Sequence, residues 1–305
     1  MRNLTTSVVI ASAAAALVTA FFLPVETQAQ QAKAAPAKAA KNTYKAPRTK
    51  DGKPDLNGIW MSNGLANWDL EPHSSGPSVE PKLGAIFAVP PSMGYIVDGG
   101  TIPYKPEALA KKKQNFVSRA KEEPEAKCYM GGVPRAHYMP YPFQILQGGK
   151  DIMMVYEYAG AVRNINMGAP VKAPADSWMG NSNGHWEGET LVVEVDSLGD
   201  QSWLSRAGDP HSDKLKVTER WTMRSPDVLM YEARMEDPDT YTQPWTIRVP
   251  LYRQVEENAR ILEFKCVVYA EELLYGHLRK PADAPTVAPA PANDGKGKAK
   301  GKGKQ

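Results

Sequence analysis

The sequence predicts a mainly β protein in which an antiparallel meander closes into a barrel, with one long helix in the N-terminal half and long loops. Three observations lead there. The runs 190-TLVVEVD-196, 215-LKVTERWTM-223 and 228-VLMYEARME-236 alternate with a period of two, the period at which successive side chains face opposite sides of a strand. Turn signals separate the runs, so sequence neighbours pair locally. Weaker runs bring the total to about nine short strands, a number at which a sheet escapes exposed edges by curling onto itself. A β-sandwich is the competing arrangement. No repeat of roughly 20 to 50 residues marks a propeller or solenoid.

From the start of the chain, Arg2, an apolar run from Val8 to Leu23 and the small-residue exit Thr27-Gln28-Ala29 describe a secretory signal peptide over 1–29. Residues 30–47 are mostly Ala, Lys, Gln and Pro, and 281–305 end in GKGKAKGKGK; neither composition can bury a core, so a disordered linker and a disordered basic tail are expected. Residues 51–278 hold 23 Lys and Arg against 31 Asp and Glu, a balance of −8, so the folded part is acidic although the whole chain is formally +3. An acidic core disfavours nucleic acid as a partner. The tail could make a weak contact with the envelope, through anionic lipid or polymer. Export predicts a periplasmic or extracellular address, where Cys128 and Cys266 can form a disulfide, with a buried free thiol at Cys266 as the alternative. Closing so long a loop stabilises by roughly 4 kcal/mol in the chain-entropy model.

The barrel domain is expected over 48–280. The turn cluster Asp51-Gly52-Lys53-Pro54-Asp55 leads into a strand at 56-LNGIWM-61. Residues 63–104 are rich in Gly, Pro, Ser and Asn without sustained periodicity, and predict a long loop over the surface or across an opening. Pro106 then starts a helix to about Glu123, with Leu109, Phe116 and Ala120 on one stripe and Lys111, Lys112 and Lys113 on a solvated face. A shaped Gly- and Pro-rich loop, 128-CYMGGVPRAHYMPYPF-143, precedes the hairpin 143–147/151–158 and a strand at 161-AVRNIN-166. Asn183-Gly184 and Glu187-Gly188-Glu189 read as turns around Trp186. After the three organising runs come strands at 245-WTIRVPL-251 and 261-ILEFKCVVY-269.

Gly58-Ile59-Trp60 resembles the Gly-x-Trp that opens the first strand of lipocalin-like barrels. The segments 49-TKDGKPDLNGIW-60, 177-SWMGNSNGHWEGETLVVEV-195, 203-WLSRAGDPHSDKLKVTERW-221 and 236-EDPDTYTQPWT-246 resemble a large family of exported bacterial proteins of the DGKPDLxGxW, WEGDTLVV and PHSDxLxVTER type. The resemblance spans roughly residues 48–270. It implies export and the domain limits, and it brings no reaction with it. This chain has Asn-Gly-His-Trp where the family pattern has Arg-Gly-Arg-Trp, which makes His185 a poor candidate for a shared role.

The sharpest chemical clue is Glu219, which shares one face of its strand with Leu215, Val217, Trp221 and Met223. A carboxylate on the core side must be paired, protonated or beside water, because burying its bare charge costs several kcal/mol. Arg206 and Arg163 are candidate partners. His211, in 208-GDPHSDK-214, has Asp213 two residues on as a possible orienting carboxylate and can exchange protons near neutral pH. Trp178, Trp203, Trp221 and Trp245 recur through the same stretch and either fill a core or wall a cavity suited to an aromatic, terpenoid or glycan-like ligand. No metal or organic cofactor is expected: the Gly-x-Ser-x-Gly elbow, the phosphate-binding loop, His-Glu-x-x-His and Cys-x-x-Cys-His are all absent from the sequence. The expectation is a barrel that binds a small, partly apolar molecule. The alternative is a cofactor-independent isomerase, hydratase, dehydratase or hydrolase using Glu219 and His211 as acid and base, with Arg206 stabilising an oxyanion.

Overall fold

The computed structural model describes residues 43–280, Val79 and Asp98 excepted. The expected signal peptide, most of the linker and the basic tail therefore lie outside the described residues. Nine strands form one sheet: β1 (Gly58–Met61), β2 (Phe143–Gly148), β3 (Asp151–Tyr156), β4 (Val162–Ile165), β5 (Asn181–Glu187), β6 (Thr190–Asp196), β7 (Lys216–Ser225), β8 (Val228–Glu236) and β9 (Trp245–Arg253). Their order is β4-β3-β2-β1-β9-β8-β7-β6-β5, with every adjacent pair antiparallel. Nine alternating strands bring the two end strands round pointing the same way. The junction of β4 with β5 is accordingly parallel: Asn166 N–H donates to Ser182 O (3.0 Å) and Gly184 N–H donates to Asn166 O (2.8 Å). The result is a nearly closed barrel with one seam.

Alternation fixes what faces inward. Val217, Glu219, Trp221 and Met223 of β7, Leu229, Tyr231, Ala233 and Met235 of β8, and Ile247, Val249 and Leu251 of β9 are all buried, while the intervening residues are more exposed. The register places Glu219 opposite Val193 and Ala233. Trp60 of β1 is fully buried and its indole N–H donates to Leu56 O (3.0 Å).

Two strand assignments change. Residues 181–187 form β5 rather than a pair of turns: its inward face carries Ser182, Gly184 and Trp186, so only one large apolar residue marks it. Gly184 is needed at the seam, since a Cβ there would lie 2.7 Å from Ile165 Cγ2. Residues 261–269 form no strand, because β1 and β8 already occupy both edges of β9 and leave nothing to join. Instead Cys266 is bridged to Cys128, and the short helix α2 (Ala270–Tyr275) follows.

The main helix, α1 (Pro106–Glu122), spans the expected range, but the face it turns inward is polar. Asn115 and Arg119 are its buried residues, and Lys112 pairs with Glu71 (2.7 Å) and Asp209 (2.9 Å), whereas Leu109 is exposed. These inward positions are spaced at helical period, so the lysine run contributes one residue to a buried ion-pair cluster. The loop over 63–104 contains one 3-10 turn, Pro81–Phe87, and lays Tyr95–Val97 along the first half of β9, which four-residue β1 is too short to cover. Among the described residues no helix is long and apolar enough to cross a membrane.

Candidate functional site

Glu219 is fully buried, and the protein itself supplies its partners. Arg163 of β4 reaches across the interior to place Nη2 2.5 Å from Oε2 and Nη1 3.3 Å from Oε1. The Tyr231 hydroxyl donates to Oε1 at 2.7 Å, and Arg163 Nε donates to Ser182 Oγ at 2.8 Å. His137, on the loop before β2, caps the group. Its Nδ1 faces Pro134 O (3.1 Å), which can only accept, so Nδ1 carries the proton; Nε2 then accepts from the Tyr156 hydroxyl (2.7 Å) and Arg163 Nη1 (3.2 Å). Burial opposes ionisation of Glu219, but the Arg163 guanidinium outweighs it and holds the carboxyl below its usual range. Burial also drives the His137 imidazole down to about 3, leaving it neutral. The His137 ring packs 4.7 Å from Trp221 and 4.8 Å from Tyr231, centroid to centroid. Of the states open to an inward carboxylate, this one is the ion pair.

The second polar site lies at one mouth of the barrel, where β6 and β8 end and β7 and β9 begin. An open groove of about 880 Å³ runs there, lined by Leu215, Tyr241 and Pro244, by the carboxylates Asp196, Asp213 and Glu236, and by Lys105, Lys214 and Lys216. A smaller recess of about 330 Å³ continues from it, sharing Asp176 and Asp213 and bounded by Trp178, Asp200 and Gln201. Next in the chain after Gln201, Ser202 is buried together with His211, with Ser202 Oγ 2.9 Å from His211 Nε2. His211 Nδ1 lies 3.0 Å from Ser212 O, a pure acceptor; Nδ1 is therefore protonated and Nε2 receives the Ser202 hydroxyl proton. Asp237 fixes the loop behind the ring by accepting from the Ser212 amide and hydroxyl, both at 2.7 Å. Burial holds the His211 pKa below its ordinary value.

The other sequence-derived candidates fall into separate places. Asp213 is exposed, paired with Lys214 (2.9 Å), and does not orient His211. Arg206 lies outside the barrel interior, donating to Glu125 (2.8 Å) and Glu271 (3.1 Å) and standing 4.7 Å over the Trp68 ring. Trp178 packs against Tyr129 at the recess, Trp245 sits edge-on to Tyr241 beneath the groove, Trp203 is buried beside Ser202, and Trp221 belongs to the closed interior. The structure thus brings His211, Asp213, Trp178 and Trp245 to one mouth and leaves Glu219, Trp221 and Arg206 elsewhere.

Sequence reasoning passed over Ser202 and His137, which stand in loops with no periodicity to mark them. Arg163 was better signalled. It shares a face of β4 with Ile165, a lone cation in an apolar row that mirrors Glu219. Among the described residues no group of three or more His, Cys, Asp or Glu side chains is arranged to hold a metal ion. Comparison with protein-family models finds no match, and comparison with curated proteins finds none at a significant level of similarity.

Proposed function

We propose that the protein is an exported carrier or receptor for a small, partly apolar molecule, bound in the groove at the barrel mouth rather than inside the barrel. The observation that carries this reading is the groove itself: about 880 Å³, within the size range of small-molecule sites, lined by apolar side chains together with carboxylates and lysines. Such a lining suits a hydroxyl-rich body with one apolar face, so of the aromatic, terpenoid and glycan-like classes the glycan-like ligand fits best. The barrel interior is less suited, because the Glu219 carboxylate already has Arg163 and Tyr231 as partners. Export rests on the N-terminal sequence pattern, on the resemblance to exported bacterial proteins and on the Cys128–Cys266 bridge.

The test is calorimetric titration with neutral oligosaccharides and hydroxylated aromatics, alongside native mass spectrometry of protein purified from its own host. Binding should weaken by about tenfold or more when Asp196 and Asp213 are both changed to Ala, since each lost hydrogen bond to a charged group is worth about 1.5–3 kcal/mol. A ligand whose affinity survives that double change is not held in the groove.

A further inference from the structure

We propose that Ser202 and His211 form a nucleophile and general-base pair that cleaves short-chain acyl esters, an activity independent of the binding reading above. Three features of the mouth converge on it.

The first is the pair's geometry. A serine hydroxyl becomes a useful nucleophile when a neutral imidazole nitrogen accepts its proton and a third group holds the ring in the right tautomer. Ser202 Oγ stands 2.9 Å from His211 Nε2, and the Ser212 carbonyl, 3.0 Å from Nδ1, fills the orienting role that a carboxylate takes in a triad. Asp237 holds Ser212 by two hydrogen bonds and is thereby a positioning residue.

The second is the adjoining backbone. Gly131, Gly132 and Val133 are buried, and among the described residues none of their N–H groups has a hydrogen-bond acceptor. Buried amides without partners are rare and call for an explanation. Gly132 adopts φ +70°, and a Cβ on it would fall 2.8 Å from Ser202 Oγ and 3.1 Å from Trp178 O; only glycine lets this loop press so close to the hydroxyl. Backbone amides beside a nucleophile can stabilise a tetrahedral oxyanion, and of this run Gly132 is the residue pressed against Ser202.

The third is access. The recess is lined by Trp178, Asp200 and Gln201, the residue before Ser202, and half-buried Trp178 rests on exposed Tyr129; the pair itself is buried behind this lining, so an ester entering by the recess must displace it to reach Ser202. The tight fit around Ser202 restricts the acyl group to a short one. The surrounding carboxylates Asp176, Asp200 and Asp213 favour a neutral or cationic alcohol over an anionic one.

The chemistry balances with water as the only co-reactant. Ser202 Oγ bonds to the ester carbonyl carbon as its proton passes to His211 Nε2, and the carbonyl oxygen becomes an oxyanion beside the Gly132 backbone. The bond from carbon to the leaving oxygen then breaks and His211 returns the proton to that oxygen, releasing the alcohol. Water repeats the sequence on the acyl-serine, releasing the acid and restoring both side chains.

The experiment treats the full chain with a fluorophosphonate probe, maps the adduct by peptide mass spectrometry and follows hydrolysis of p-nitrophenyl acetate. One adduct per chain on Ser202 is expected, with turnover falling by about a thousandfold in Ser202→Ala and in His211→Gln. Folded wild type that carries no adduct on Ser202, or a folded Ser202→Ala that turns over the ester as wild type does, overturns the proposal. If either variant fails to fold, the mapped adduct on the wild type decides alone. Neither readout uses a groove ligand, so this proposal and the binding reading fail separately.

Discussion

His137 and His211 are both buried and both held below the ordinary imidazole pKa by burial, yet their neighbourhoods differ in kind. Around His137 every strong group is spoken for. Arg163 and Glu219 neutralise each other, Tyr231 and Tyr156 bond to the pair and to the ring, and Arg163 continues to Ser182 across the seam. Around His211, among the described residues, no charged group lies within hydrogen-bond reach: a serine hydroxyl takes one nitrogen, a backbone carbonyl the other, and the Gly132 backbone presses against that serine. A buried histidine with closed accounts braces a fold, and one left beside unused donors has capacity for chemistry.

The contrast can be broken by mutation. Removing one partner of the interior ion pair leaves a bare charge in the barrel, so Glu219→Ala should cost about 3–5 kcal/mol in urea unfolding, whereas Glu219→Leu combined with Arg163→Met should recover most of the loss. If the double variant stays as unstable as the single one, the group does more than brace. Next in size is the disulfide. Changing both Cys128 and Cys266 to Ala should cost about 2–5 kcal/mol in the same assay. Cys128 stands three residues before the 131–133 run, so this change should also slow probe labelling at Ser202 while leaving the fluorescence of buried Trp221 unaltered.

The smallest effect is a slope. His137 is neutral when folded and protonated when unfolded between its folded value of about 3 and the ordinary 6.5, so stability falls as pH drops through that window. The slope approaches about 1.4 kcal/mol per pH unit. His211, also lowered, adds in the same direction. Asp69 opposes both: burial and the neighbouring Asp209 raise it to about 6, so the folded chain takes up a proton first between there and the ordinary 3.8. The melting temperature should therefore decline from pH 7 to pH 5, and His137→Asn, although less stable throughout, should decline less steeply. An unchanged slope would mean that His137 is already charged in the fold.

The barrel was legible because β6 through β9 keep their inward rows apolar at a period of two, and because a carboxylate at position 219 in such a row has few places to go. The same logic failed at β5, where the buried inward residues are Ser182 and Gly184 and Trp186 alone on that face is large and apolar. It failed again at 261–269, where the apolar alternation is real but closure had used up every free edge. The inward face of α1 was misjudged because Lys112 turns toward Asp209 and Glu71, carboxylates that reach it from distant loops. At the mouth, His211 could be suspected from its loop, but Ser202 and the 131–133 backbone reach it only through folding, and no spacing in the sequence encodes that meeting.

The parity of the sheet carries one more consequence. A closed ring with an odd count of alternating members must contain one pair that disagrees with the rest, and here that pair joins through Asn166 and Ser182–Gly184, with Arg163 fastened across it from inside. Elsewhere most neighbouring strands are laced by longer ladders. This single stitch is where the tube would unroll into an open curved sheet, and the guanidinium that satisfies Glu219 is also the pin that holds it shut.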